Sequence, residues 1–259
     1  MIELRAITFA YRGRPPLFED FSLQMARGET MAVIGPSGCG KTSLLYLLAG
    51  LFRAERGAIH IDGRPLSRPR PETGLILQDH DLLPWSTVAD NAALGLKIRR
   101  FYGPDGKHAP RDFEVDTGLG QQKVDYWLQR LGLGALQDHY PGQLSRGQRQ
   151  RTAIARTMTL DPDVLLMDEP FSALDAPTSD RLQALVLMLK RESDLTTVIV
   201  THRIEEAVRM GDRILVLARE TNRVPRLVAN PCSAATDALE DEAFSRQCTD
   251  IRSLLEDLT

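Results

Sequence analysis

Gly35-Pro36-Ser37-Gly38-Cys39-Gly40-Lys41-Thr42-Ser43 follows an apolar run, Thr30–Ile34, and runs into a stretch of helical composition, Thr42–Leu51. Its first eight residues fit G-x-x-x-x-G-K-[ST], and a buried strand before it and a helix after it are the flanks this pattern requires. The glycines let the backbone curl so that successive N–H groups point at phosphate oxygens, and the helix N-terminus adds its positive dipole end. Lys41 is placed to reach the β and γ phosphates of a nucleotide, and the Thr42 hydroxyl to ligate Mg²⁺. The stretch from Gly35 through Ser43 is therefore the candidate phosphate cradle, with a nucleoside triphosphate as its ligand.

Two more runs, Val164–Met167 and Thr197–Val200, share the short β-rich character of Thr30–Ile34 and are expected to be fully buried strands. Leu182, Leu185, Val186 and Leu189 follow one at helical spacing. Ile204, Ala207 and Val208 follow the other and are closed by Gly211 as a C′ residue. Strand alternating with helix implies an α/β fold with a parallel sheet. The N-terminal part differs: Ile2–Phe9, the alternating Phe21, Leu23 and Met25, and Ala58–Ile61 before the Asp62-Gly63 turn read as short strands. The middle, about 88–160, is helix-rich, with Val124, Trp127, Leu128 and Leu131 on one apolar stripe. The polar segment from Phe101 to Gly120 is expected to be an exposed loop.

Asp168 and Glu169 follow Val164–Met167, where ligands of open α/β sheets sit. Asp168 suits a metal-holding role and Glu169 that of a general base for an attacking water. Composition narrows the rest. Among 259 residues, 42% hydrophobic and 26% charged composition is that of a globular protein, and a net charge of −3 gives no footprint for nucleic acid. Arg99–Arg100 reads as solvated surface. No apolar run approaches the ~20 residues that span a bilayer, and no signal peptide pattern opens the chain, so a cytosolic location is expected. Cys39, Cys232 and Cys248 form no CxxC pair and are expected as reduced thiols.

Leu144-Ser145-Arg146-Gly147-Gln148 resembles the LSGGQ signature of ABC ATPases, and Ser145 with Gln148 also fits a capping box. Together with Asp168, Glu169 and the glycine-rich stretch, it identifies the chain as similar to the ATP-hydrolysing subunits of ABC transporters over about residues 2–220. The resemblance implies a P-loop NTPase core, an N-terminal antiparallel β subdomain and an inserted helical subdomain. It divides the chain into an ATPase domain, residues 1–230, and a C-terminal tail, residues 231–259, expected to be helical. By the same resemblance Tyr11 stacks on adenine, and Gln78 senses both Mg²⁺ and the membrane partner. Ser172-Ala173-Leu174-Asp175 matches the D-loop, and His202 contacts the γ-phosphate.

Family members sandwich two ATP molecules between two subunits, so Ser145, Gly147 and Gln148 would serve a nucleotide held by a second subunit, most simply a second copy. Transmembrane permease subunits and, indirectly, an external solute-binding protein are the other implied partners, with the chain peripheral on the cytoplasmic face of the membrane. Leu82-Leu83-Pro84-Trp85 resembles importers of nitrate, sulfonate and taurine, as does the tail with Phe244, Ile251, Leu255 and Leu258. Arg146 replaces a glycine of the signature, and Arg203 stands where an acidic residue is frequent. A non-transport ABC ATPase and a catalytically weak subunit of a mixed pair are the alternatives left open.

Overall fold

Alternating apolar residues build the first strands, and the continuous apolar runs build the buried ones. In chain order the elements begin with β1 (Ile2–Ala10), β2 (Pro16–Met25), β3 (Thr30–Ile34), α1 (Lys41–Leu48), β4 (Arg56–Ile61), β5 (Arg64–Pro65) and β6 (Thr73–Ile76). They continue with α2 (Val88–Phe101), α3 (Thr117–Arg130), α4 (Arg146–Met158), β7 (Val164–Asp168) and α5 (Ala176–Glu192). The chain closes with β8 (Thr196–Val200), α6 (Ile204–Met210), β9 (Arg213–Val216), β10 (Arg226–Ala229) and α7 (Leu239–Glu256). This computed structural model describes residues 1–78, 81–101, 117–172, 174–232 and 239–258. It forms two units: one from Met1–Pro69, Leu166–Glu169 and Leu187–Thr259, the other from Arg70–Leu165 and Pro170–Val186.

In the first unit, β1 pairs antiparallel with β2 and β4, giving the order β2-β1-β4-β5. Ile2, Leu4, Ile7 and Phe9 are buried. The inward alternation skips from Leu4 to Ile7 because the register shifts there, with Ala6 at φ 48°. Asp62 and Gly63 both take positive φ, 49° and 72°, which is the hairpin turn their sequence predicts. A second sheet in this unit has the order β10-β9-β3-β8-β7, with β3 parallel to both β8 and β9. Every residue of β3 and β8 is buried, as strands covered on both faces must be. Helix α7 packs Cys248 and Ile251 against Ala207, Val208, Ile214 and Val216, with Phe244, Leu255 and Leu258 around them. All three cysteines are free and buried.

In the second unit, the N–H groups of Asp163 and Val164 reach the Glu72 carbonyl, joining β6 to the start of β7. Helices α2, α3 and α4 pack together, burying Val124, Leu128 and Leu131, with Trp127 half-buried. Asn91, fully buried, accepts from Leu83 N–H and donates to the carbonyls of Leu83, Ser86 and Thr87. That side chain fixes the loop carrying Trp85, which is 73% exposed.

Several expectations need correction. The helix after the glycine-rich stretch stops at Leu48, and Gly50, at φ 72°, turns the chain. Gly211 ends α6 with extended angles (φ −87°, ψ 134°) instead of the left-handed form, and a Cβ there would fall 2.8 Å from Ala32 Cβ. Both ends of the segment expected as a loop are helical: α2 runs through Phe101, and α3 starts at Thr117 so that Gly120 meets Leu96. Residues 102–116 lie outside the described ones. Arg99 is half-buried and donates to the carbonyls of Pro71 and Leu160, so it ties loops together where solvated surface was expected. Among the described residues no helix is long and apolar enough to cross a membrane.

Candidate functional site

Strand β3 delivers the chain to Gly35, where φ is 153° and a Cβ would fall 2.5 Å from the Leu217 carbonyl and 2.7 Å from Cys39 Sγ. Only glycine fits. The loop then closes over itself: Lys41 Nζ donates to the carbonyls of Gly35, at 2.7 Å, and Pro36, at 3.0 Å. Cys39 forms the buried floor, and burial pushes its thiol above the usual range. Tyr11 and Ser43 share a hydroxyl hydrogen bond of 3.0 Å, linking the strand β1 end to α1. The Tyr11 ring stands edge-on to Phe9 and Phe52, at 5.3 and 6.0 Å, and Tyr46 braces Phe52 in turn. Tyr11 remains 43% exposed, so a rigid aromatic edge is offered to a flat ligand.

These groups open on a cavity of about 830 Å³, lined among others by Tyr11, Gly38, Lys41, Thr42, Glu169 and Arg219. Asp168, at the end of β7, is buried, and the Thr42 hydroxyl donates to it. Desolvation raises its pKa, the Glu169 charge adds to that, and Thr42 and Lys41 oppose it. Glu169 takes φ 47°, a strained conformation for a residue with a Cβ, held by a 2.8 Å bond from its N–H to the Val200 carbonyl. Its Oε2 lies 3.1 Å from His202 Nδ1. Behind His202, buried Glu206 accepts from the Thr201 hydroxyl at 2.6 Å and from Arg203 at 2.9 Å. Arg203, unusual for the motif, therefore balances a carboxylate that is only 3% exposed.

The Thr42 hydroxyl and Asp168 carboxylate are hard oxygen donors. No group of three or more His, Cys, Asp or Glu that could hold a metal exists among the described residues. That donor set fits Mg²⁺, which takes most of its ligands from phosphate and water.

The second unit carries the remaining predicted residues. Gln78 lies exposed just past β6. Ser145 caps α4: Gln148 N–H donates to its Oγ at 3.2 Å, and Ser145 N–H donates to Gln148 Oε1 at 2.8 Å, the predicted capping box. Arg146 is the first residue of α4 and is exposed, whereas Gly147 is buried, with a Cβ position only 2.5 Å from Thr178 Cγ2. Asp175 accepts from the Thr178 N–H, and hydrogen bonding from Thr178 holds its carboxyl low. Beside Ser145 and Gly147, Arg130, Arg151 and Arg181 line a cavity of about 380 Å³.

Thus Tyr11, Gly35 through Ser43, Asp168, Glu169 and His202 meet in the first unit, and Ser145, Gly147, Gln148 and Asp175 occupy neighbouring helix starts in the second. Sequence reasoning missed Phe52 and the Arg219–Thr221 wall, neither of which lies in a recognisable spacing.

Residues 18–172 match the ABC transporter family model. The chain is 39% identical over 232 residues to the taurine import ATP-binding protein TauB of Pseudomonas aeruginosa, covering 86% of this chain and 81% of that one. TauB of Escherichia coli K12 is also 39% identical, over 224 residues, with 86% and 82% covered. Among solved structures, the dimeric ATP-binding cassette MJ0796 bound to ADP and Pi superposes with a TM-score of 0.74 at 28% identity, covering 88% of this chain and 98% of that one. CbiO1 from Clostridium perfringens gives 0.76 at 23% identity, covering 98% and 93%, a likeness of fold. The chain belongs to the ABC transporter family and has the fold of its ATP-binding cassettes.

Proposed function

We propose that the chain binds and hydrolyses ATP as the motor subunit of an importer, driving uptake of a small solute of the nitrate, sulfonate or taurine kind through a separate membrane subunit. The observation that carries the reading is the 830 Å³ cavity, where a glycine-rich loop, a buried aspartate and a histidine-held glutamate meet. The import assignment is supported by TauB relatives that match over four fifths of their length.

In this reading adenine rests on Tyr11 and the phosphates lie over the N–H groups of the glycine-rich loop and the start of α1, Ser37 through Ser43. Lys41 exchanges the Gly35 and Pro36 carbonyls for β and γ oxygens. Thr42 and Asp168 would hold Mg²⁺, which when bound offsets charge on the phosphates. Glu169 accepts the proton of the attacking water as the new oxygen–phosphorus bond forms and the β–γ bridging bond breaks, releasing ADP. His202 orients Glu169 and reaches the γ-phosphate. Ser145, Gly147 and Gln148, with the neighbouring arginines, face a nucleotide carried by a second copy, and Asp175 holds the neighbouring start of α5. Gln78 and the Trp85 loop are the proposed contact with the membrane subunit, on its cytoplasmic face. Residues 1–230 are the motor domain, with a helical subdomain at about 88–160, and 231–259 a tail.

Replacing Glu169 with Gln tests the chemistry: hydrolysis is expected to fall by about 100-fold or more while ATP still binds. Unchanged turnover would reject Glu169 as the base. Capture of the tagged chain from gently solubilised host membranes tests the transport half. A multi-span subunit should copurify; purely soluble partners, ribosomes or DNA would count against import.

A further inference from the structure

The wall of the cavity formed by Arg219, Glu220, Thr221 and Arg223 belongs to the turn between β9 and β10, far in sequence from the glycine-rich loop. One side chain joins them. Asn222 is 6% exposed, and its backbone bridges to β2: its N–H donates to Leu17 O at 2.9 Å, and Glu19 N–H donates to its carbonyl at 3.0 Å. Its Oδ1 accepts from Ala218 N–H at 2.9 Å, closing the turn. Its Nδ2 lies 3.3 Å from the carbonyls of both Leu17 and Cys39, the latter inside the glycine-rich loop. Thr221 adds a 2.7 Å bond to the Pro16 carbonyl. The turn so fixed presents Arg219, exposed on the cavity wall and in no ion pair among the described residues, whereas Arg223 pairs with Glu19.

From this geometry we infer that Asn222 is a positioning residue for nucleotide binding, locking the 218–223 turn, β2 and the glycine-rich loop into one frame, and that Arg219 on this frame meets the polyphosphate of the nucleoside triphosphate. The inference rests on the ATP-binding reading above. An amide suits the place because it offers one acceptor to Ala218 N–H and two donors to carbonyls; no alanine, and no carboxylate among those carbonyls, can do so.

The test is titration of the intact chain with a fluorescent ATP analogue, alongside ATPase kinetics and thermal melting. Asn222→Ala should raise Kd and KM for ATP about tenfold, leaving kcat at saturation within about twofold, because the hydrolytic pair is untouched. Arg219→Gln, an exposed change that leaves the fold intact, should raise Kd about fivefold at low salt, and the difference should shrink as salt screens the cation. A lower melting temperature of Asn222→Ala with unchanged Kd would reduce Asn222 to a structural residue and overturn its part. An Arg219→Gln variant that binds ATP like the wild type overturns the polyphosphate contact, and does so even if Asn222→Ala fails to fold. A wild-type chain that binds no ATP would instead remove the ATP-binding reading on which both rest.

Discussion

At the scale of single residues, Asp168 works against the fold that holds it. Burial raises its pKa above the value in an unfolded chain, so the native state binds the proton more tightly than the unfolded one. Native stability therefore falls as pH rises from the ordinary aspartate range through the raised value, and above it the full cost of a desolvated carboxylate is present. Asp168→Asn should accordingly melt at a higher temperature than wild type at neutral pH, with the gain vanishing in acid, and should lose ATPase activity. Melting curves across pH check the sign; a variant less stable at neutral pH would contradict it. Asp168 and Glu169 were legible from sequence because they close a run of buried strand residues, and Lys41 because it stands in the glycine-rich pattern between a strand and a helix. The strained φ of Glu169 and the pairing of Arg203 with Glu206 were not, since both depend on what the fold brings alongside.

At the scale of elements, the start of α4 shows what a motif reading leaves out. The capping box between Ser145 and Gln148 was visible in four letters. The reason for Gly147 was not: the helix start packs so tightly on Thr178 of α5 that a methyl group would overlap its Cγ2. Gly147→Ala should therefore destabilise by about 1–3 kcal/mol through overpacking. Thr178→Ser, which deletes the offending methyl, should recover most of that in the double variant, a coupling readable by denaturant titration as a cycle. Additive effects would show that glycine is needed for another reason. Arg146, one residue earlier, is exposed, so its long side chain has solvent to extend into where the family pattern has glycine. The buried strands β3, β7 and β8 were plain as apolar runs. The Asn91 and Asn222 clamps were silent because a lone polar residue bonded to distant loops has no period.

At the scale of the whole molecule, the two groups of predicted residues complement each other chemically under the proposed function: one holds the glycine-rich loop and the Glu169–His202 pair, the other a capped helix start beside three arginines. If each nucleotide is shared between two copies, the Glu169→Gln chain of 28.9 kDa should elute on sizing at about twice its mass with ATP and Mg²⁺, and at the single mass with ADP. Light scattering that stays at one chain's mass with ATP would reject the shared site. The order of the larger sheet has a further consequence, for the time it takes to assemble. Among the described residues strand β3 pairs with β8 and β9 alone, and the Gly28 N–H closes on the Thr196 hydroxyl 168 residues later. On the ribosome β3, which leads into the glycine-rich loop, must therefore emerge and wait, apolar on both faces, until about three quarters of these 259 residues have been made. Such long-range parallel pairing is slow, on the order of milliseconds to seconds or longer, and leaves edges open to aggregation. A nascent chain released before Thr196 should be a chaperone client and a ready protease substrate, with no capacity to hold nucleotide until β8 and β9 arrive.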